Sequence, residues 1–214
     1  LQGIRGPGEE IPHVTDAWLD TLDPNPWSTL AAWLGEARAA DLHEPEAAAL
    51  ATATPDGRPS VRMVLVRGAE GGDLRVYTNH ESRKAGELRE NARAALCFYW
   101  GPPLRRQVRV EGRVERLSDD EARVYFDTRA YESRLGAWAS PQSRPLADRG
   151  ELDRLYAEAD EQFRGDEVPL PSWWGGYRLV PDAFEVWQNR PNRLHDRARY
   201  ERAGDGWSRT RLAP

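Results

Sequence analysis

Between residues 47 and 117 the sequence runs as short apolar stretches, each closed by a turn signal, and this punctuation limits the fold more than any other feature. The stretches cover 47–54, 60–67, 74–78, 94–100 and 105–117, with turn signals at Pro55-Asp56-Gly57, across 68–72 and at Gly101-Pro102-Pro103. Stretches this short, bounded by Gly, Pro and Asp, read as strands of an antiparallel meander. In Gln107-Val108-Arg109-Val110-Glu111 the valines alternate with polar residues, as in a strand with one buried face. A helix over 81–90 interrupts the series. After Pro169-Leu170-Pro171, further strands are expected at 176–180, 183–188, 197–202 and 207–212. The helical spacing of Leu30, Trp33, Leu34 and Ala37 predicts a helix over 26–40. The pair Ser118 and Glu121 forms a capping box that opens a helix over 119–130, and a second acidic helix is expected over 146–164. Many strands with few helices, not in strict alternation, imply an α+β chain: a closed antiparallel barrel with flanking helices rather than a doubly wound sheet.

A chain of 214 residues can bury a core of its own, so one domain over 23–214 is expected. Residues 1–22 are rich in Gly, Pro, Asp and Glu without a sustained period, and read as a weakly ordered arm. The single cysteine, Cys97, excludes an intramolecular disulfide framework and any multi-cysteine metal centre, and no metal is expected. No apolar run approaches ~18 residues, and the first ten residues lack a basic-then-apolar leader pattern, so no membrane partner and a cytoplasmic location are expected. The net charge of −5 argues against a general nucleic-acid binder, which carries a basic excess. Of the 30 basic residues only Lys84 is a lysine.

Four constellations could carry chemistry. Arg62 and Arg67 flank an apolar strand segment in which Arg62, Val64 and Val66 share one face and Met63, Leu65 and Arg67 the other. Either the strand ends reach solvent or an anion meets the guanidinium groups. Ser82-Arg83-Lys84 stands at a helix start, where free N–H groups and the helix dipole favour an anion such as phosphate; a solvated helix end is the alternative. Tyr125, Arg129 and Ser133 recur at i, i+4, i+8 and, if one helix carries all three, line one face, as a second anion site or as an exposed polar stripe. In an extended Arg193-Leu194-His195-Asp196-Arg197, Arg193, His195 and Arg197 point to one side, where an anionic ligand would relieve their repulsion, or His195 is structural. Dinucleotide-binding, P-loop, zinc-protease and nucleophile-elbow motifs are missing from the sequence.

Eight segments stand in one order along 23–214: Arg62-x-Val64-Leu65-Val66; Tyr77-Thr78-Asn79 with Ser82-Arg83-Lys84; Arg106-Gln107-Val108; Gly136-Ala137-Trp138-Ala139-Ser140-x-Gln142-Ser143; Pro169-Leu170-Pro171-Ser172-x-Trp174-Gly175-Gly176; Trp187-Gln188; Arg193-Leu194-His195-Asp196-Arg197; and Arg211-Leu212-Ala213-Pro214. In that order they resemble the pyridoxine/pyridoxamine 5′-phosphate oxidase family. The resemblance implies a split β-barrel homodimer with FMN at the subunit interface. It implies that Arg62, Ser82, Arg83 and Lys84 surround the phosphate and ribityl end of the cofactor, and that Met63, Val64, Leu65, Val66 and Arg67 also bind it. Tyr77, Thr78, Gln107, Gln142, Ser143, Trp187 and Arg197 would follow the rest of it. Arg67, Tyr125, Arg129 and Ser133 would meet the substrate phosphate, with Arg193 and His195 holding the pyridine ring as the catalytic pair. The implied reaction oxidises pyridoxamine or pyridoxine 5′-phosphate to pyridoxal 5′-phosphate through hydride transfer to the flavin, with O₂ reduced to H₂O₂.

Three departures bear on the substrate. Arg67 stands where the family usually has lysine, Asn189-Arg190-Pro191-Asn192 stands where glycine is common, and 1–22 lack the family's basic N-terminal segment. An oxidase of the same fold acting on a phenazine-type carboxylate in secondary metabolism, and a non-catalytic flavin- or pyridoxal-phosphate-binding module, are the competing expectations.

Overall fold

The computed structural model describes residues 17–214, and residues 1–16 of the expected arm lie outside them. The rest of that lead-in is structured: α1 (Ala17–Asp20) forms one turn and Leu22 is buried. Helix α2 (Pro26–Ala39) begins where Asn25 accepts a hydrogen bond from the Trp27 backbone N–H and Pro26 occupies the first turn. Its Leu30, Trp33, Leu34 and Ala37 are buried. Burial of the two leucines alone is worth roughly 3–6 kcal/mol, enough to hold a helix of this length that is marginal in isolation.

The meander supplies β1 (Ala47–Ala53), β2 (Pro59–Arg67), β3 (Leu74–Asn79), β4 (Arg93–Trp100) and β5 (Arg106–Arg116), with α3 (Arg83–Glu90) between β3 and β4. Strand β6 (Trp174–Gln188) closes the sheet, which runs β3-β2-β1-β4-β5-β6 and returns from β6 to β3. All of these pairings are antiparallel, and together they make a six-stranded closed barrel. Beyond β6 the same sheet continues through β7 (Asp196–Ala203) and β8 (Gly206–Leu212). Inward residues such as Leu50, Val66, Leu74, Leu96, Phe98, Val108, Val110 and Val186 fill the barrel and meet α2.

Two expected strands, 176–180 and 183–188, are one long strand. Its first part pairs with β3, its last part with β7, and β5 spans both. The register shifts opposite Gly112, where Pro181 and Asp182 bend the strand between the barrel and its extension. The expected helix over 119–130 is also corrected. Helix α4 (Asp119–Asp127) opens on the capping box and stops at Thr128; a separate α5 (Tyr131–Ala139) follows, and α6 (Arg149–Phe163) packs on α5 through Leu135, Ala159 and Phe163. Among the described residues no helix is long and apolar enough to cross a membrane.

Candidate active site

One cleft of about 500 Å³ opens between β2, the end of β3, the start of α3, and the α4–α5 pair. From β2 it takes Arg62, Met63, Val64 and Leu65, from β3 Tyr77, Thr78 and Asn79, and from α3 Lys84. Tyr125 of α4, Arg129 of the connection and Ser133 of α5 line the opposite side, with Gln142 and Trp174 completing it. The break between α4 and α5 means that Tyr125, Arg129 and Ser133 do not share one helix face; the chain turns at Arg129 and still delivers all three to one wall.

An aromatic stack forms the floor. Tyr77 stacks against both Tyr125 and Trp174, with ring centroids 4.0 and 5.5 Å away, and those two rings are themselves 6.3 Å apart. Gly176, the register partner of Tyr77, makes this possible, because a Cβ there would come within 2.9 Å of the Tyr77 ring. Arg129 spreads over the Trp174 ring at 4.9 Å, and its Nη1 is buried with no hydrogen-bond partner. Burial pulls its guanidinium below the ordinary value, with the Tyr125 phenol opposing. Arg67 Nε donates to Tyr125 Oη at 3.1 Å, so a second guanidinium is tied to the same aromatic stack, although Arg67 does not line the cleft itself.

At the α3 end, Lys84 Nζ donates to Gln142 Oε1 at 2.8 Å, to Thr78 Oγ1 at 3.0 Å and to Ser82 Oγ at 3.4 Å. All three acceptors are neutral. Burial, assisted by the nearby Arg62 charge, lowers Lys84 to about 8. Two half-buried cations that have no carboxylate partner among the described residues, Lys84 and Arg129, thus line one cleft, an arrangement that anions from outside the chain would relieve. A phosphate-bearing cofactor answers such a site, so the donor set fits FMN. Arg83 is mostly exposed, and Ser82 is buried at the N-cap of α3 without making a side-chain cap. Val66 packs into the barrel core, away from the cleft.

Other predicted residues lie elsewhere on the chain. Gln107, Trp187 and Arg197 are register neighbours on β5, β6 and β7. Arg197 is held by buried Glu185, which accepts from its Nε and Nη2 at 3.0 and 2.8 Å and also pairs with Arg109. His195 packs against the Trp187 ring at 4.7 Å and accepts a hydrogen bond at Nδ1 from the Arg190 backbone N–H at 3.1 Å. It borders a second opening of about 370 Å³ with Leu194 and 211–214. Arg193 does not extend the strand: Pro191–Arg193 is a 3-10 turn, Arg193 has φ of 62°, and its side chain is exposed, so the expected single row with His195 and Arg197 is broken. Ser143, next to Gln142, is exposed at φ of 72°. A larger open groove of about 690 Å³ crosses β1, β4, β5 and the bend in β6, but its charges pair among themselves, Arg93 with Asp182 and Arg199 with Glu111 and Glu201.

Sequence reasoning gave no site role to Trp174, although Pro169-Leu170-Pro171-Ser172-x-Trp174 had drawn notice as a motif. It also passed over Glu87, an ordinary acidic residue on a polar helix whose carboxylate is only 5% exposed.

Comparison with known proteins bears on the same residues. Residues 34–162 match the family model described as pyridoxamine 5′-phosphate oxidase, and 174–214 match that of the pyridoxine 5′-phosphate oxidase C-terminal dimerisation region. A pyridoxine/pyridoxamine 5′-phosphate oxidase of Rubrobacter xylanophilus is 52% identical over 195 residues, covering 91% of this chain and 89% of that one. One from Gluconobacter oxydans is 48% identical over 201 residues, covering 94% and 100%. Among solved structures, PhzG from Burkholderia lata in complex with tetrahydrophenazine-1-carboxylic acid superposes with a TM-score of 0.83 at 35% identity, covering 91% and 95%. An FMN-binding protein of Nostoc punctiforme shares the fold, with a TM-score of 0.71 at 22% identity, covering 90% of this chain and all of that one.

Proposed function

The chain belongs to the pyridoxamine 5′-phosphate oxidase family, and from that premise we propose that two copies enclose FMN and oxidise pyridoxamine or pyridoxine 5′-phosphate to pyridoxal 5′-phosphate at the expense of O₂. The enzyme is an FMN-dependent oxidoreductase and a homodimer. The observation that carries the substrate reading is the pair of half-buried cations without a carboxylate partner among the described residues, Lys84 and Arg129, lining one cleft. One answers the cofactor phosphate and the other the substrate phosphate.

FMN, when bound, supplies the two-electron acceptor and hands those electrons on to O₂. Arg62, Ser82, Arg83 and Lys84 hold its phosphate end, while Thr78 and Gln142, already joined by a 2.7 Å hydrogen bond, flank the chain beyond. Arg129, Arg67, Tyr125 and Ser133 anchor the substrate phosphate, which fixes how far the pyridine ring reaches into the cleft. Gln107, Trp187, Arg193, His195 and Arg197 lie outside the cleft of their own chain. All but Gln107 fall within 174–214, the stretch matched by the dimerisation model, which supports their entering the cleft of the second copy. There Arg193 and His195 would orient the ring and Arg197 would favour negative charge on the cofactor, with Gln107, the register partner of Trp187, alongside. A cytoplasmic location belongs to the same reading.

The decisive experiment is an absorbance spectrum of the purified, FMN-loaded protein before and after anaerobic pyridoxamine 5′-phosphate. Bleaching of the flavin band near 450 nm, followed on aeration by pyridoxal 5′-phosphate and H₂O₂ in equal amounts, is the expected result; an unbleached band overturns the reading. The likeness to PhzG keeps a carboxylate substrate in view, and the unpartnered Nη1 of Arg129 would accept one. Parallel turnover of the phosphorylated vitamers and a dihydrophenazine carboxylate separates the two.

A further inference from the structure

Glu87 takes no part in the assignments above, yet it is the most heavily bonded carboxylate beside the cleft. It is 5% exposed, and Oε2 accepts from Thr52 Oγ1, from Ser60 Oγ at 2.5 Å and from Arg62 Nη2 at 3.2 Å. The two hydroxyls in turn accept from Arg62, at 2.6 Å each. Each hydroxyl has one proton, so both protons go to Glu87 and both lone-pair sides to Arg62. The carboxylate is thereby fixed to strands β1 and β2. Its other oxygen, Oε1, accepts from Arg83 Nε at 2.9 Å, one turn earlier on α3.

Arg83 is otherwise a poor candidate for a defined position. Its side chain is 65% exposed, and it sits in the first turn of a helix, where a cation is disfavoured by the dipole. Glu87 grips the inner nitrogen only. Among the described residues neither terminal nitrogen of Arg83 has a protein hydrogen-bond partner, so both remain available as a fork for an anion. We propose that Glu87 is a positioning residue that indexes Arg83 to the barrel and so lets the site read the phosphate of its flavin. The inference rests on the reading that the α3 N-terminus takes the FMN phosphate.

Charge and geometry make opposite forecasts for Glu87→Gln. Removal of a negative charge makes the site more cationic and, by Coulomb attraction alone, tightens phosphate binding. An amide has one acceptor oxygen, however, and turning it toward Thr52, Ser60 and Arg62 aims its NH₂ at Arg83 Nε–H, which releases Arg83. The test is titration of the full-length, flavin-stripped protein with FMN and with riboflavin, followed by flavin fluorescence, for wild type, Glu87→Gln, Arg83→Lys and the double variant. We expect wild type to prefer FMN, Glu87→Gln to lose about tenfold of that preference with little change for riboflavin, Arg83→Lys to lose a similar factor, and the double variant to lose no more than either. Retained or increased preference in Glu87→Gln overturns the proposal and leaves the phosphate reading intact. Equal binding of FMN and riboflavin by wild type overturns both. If Glu87→Gln does not fold, Arg83→Lys decides: it keeps the charge and lacks the Nε–H, so an unchanged preference overturns the proposal.

Discussion

At the scale of single residues, the two uncompensated cations make separable forecasts. Lys84 is held down to about 8 because burial penalises its charged form, and the Arg62 charge adds to that. Its depressed value means that the fold bears the cost of the charge fully below pH 8 and sheds it as pH rises above that point. An adjacent phosphate reverses the preference, so binding above pH 8 takes up a proton. FMN affinity is therefore expected to fall between pH 8 and 9.5, by up to about tenfold per unit, and to flatten in Lys84→Arg, whose guanidinium stays charged. Fluorescence titration at several pH values checks this, and a wild-type constant that does not move across that range refutes it. For Arg129, loss of a charged partner for the substrate phosphate should raise KM by about 10–100-fold in Arg129→Gln while the flavin content holds. His195→Ala is expected to lower kcat, also with flavin retained, whereas Arg83→Ala weakens flavin retention. Steady-state kinetics paired with flavin-to-protein ratios distinguishes these patterns, and the reverse assignment would exchange the two sites. Lys84 was legible because a lone lysine among 30 basic residues stands out. Glu87 was not, because nothing in an acidic side chain at i+4 from an arginine reveals that Thr52 and Ser60 fold onto it from two strands.

At the scale of elements, strands were legible wherever period-two patterning met a turn signal, and boundaries from β1 to β5 fall within a residue or two of the reading. Where the reading failed, tertiary geometry had replaced a local signal. Pro181-Asp182 looks like a turn between two strands, yet β5 bridges it and β6 continues through the bend. The i, i+4, i+8 spacing of Tyr125, Arg129 and Ser133 suggests one helix, but α4 ends at Asp127, with the Thr128 hydroxyl donating to the Tyr125 carbonyl, and Arg129 turns back onto Trp174. The bend in β6 depends on Gly112, where a Cβ would stand 2.1 Å from the Val180 carbonyl oxygen and 2.9 Å from the Pro181 Cα. That clash is with backbone and cannot be relieved by a rotamer change. Gly112→Ala is expected to cost about 3 kcal/mol, and to lower Tm by roughly 6–12 °C. Gly35→Ala, in α2 with open space around the new methyl, should instead stabilise by about 0.5–1 kcal/mol. Calorimetry on both variants tests the contrast, and equal Tm values would show that the bend tolerates a side chain.

At the scale of the whole molecule, the proposed site is divided: one chain gathers Lys84, Arg129 and the aromatic floor in a cleft, and carries Trp187, His195 and Arg197 outside it, at the β6–β7 extension of the sheet. The outer face of β2 lies beside that cleft and is apolar, with Val61 68% and Met63 65% exposed, and Leu65 continuing the row. An inward-outward alternation that buries Val66 would ordinarily set polar residues on the other side, so three consecutive outward apolar residues imply a covering surface. The dimerisation stretch, 174–214, holds Trp187, Arg193, His195 and Arg197, which on the proposed reading enter the cleft of the second copy, and a two-fold interface uses each of its contacts twice. A carboxylate at Met63 would therefore be buried without a partner at two places per dimer, at a cost of several kcal/mol. Met63→Asp is expected to sediment as a monomer and to emerge from purification without the yellow flavin absorbance, while its far-ultraviolet circular dichroism stays that of the folded barrel. Sedimentation velocity with simultaneous detection at 280 and 450 nm reads mass and flavin together. A folded monomer that retains FMN as tightly as wild type would mean that each cleft is complete in one chain, and would remove the reason for assigning Arg193, His195 and Arg197 to the second copy.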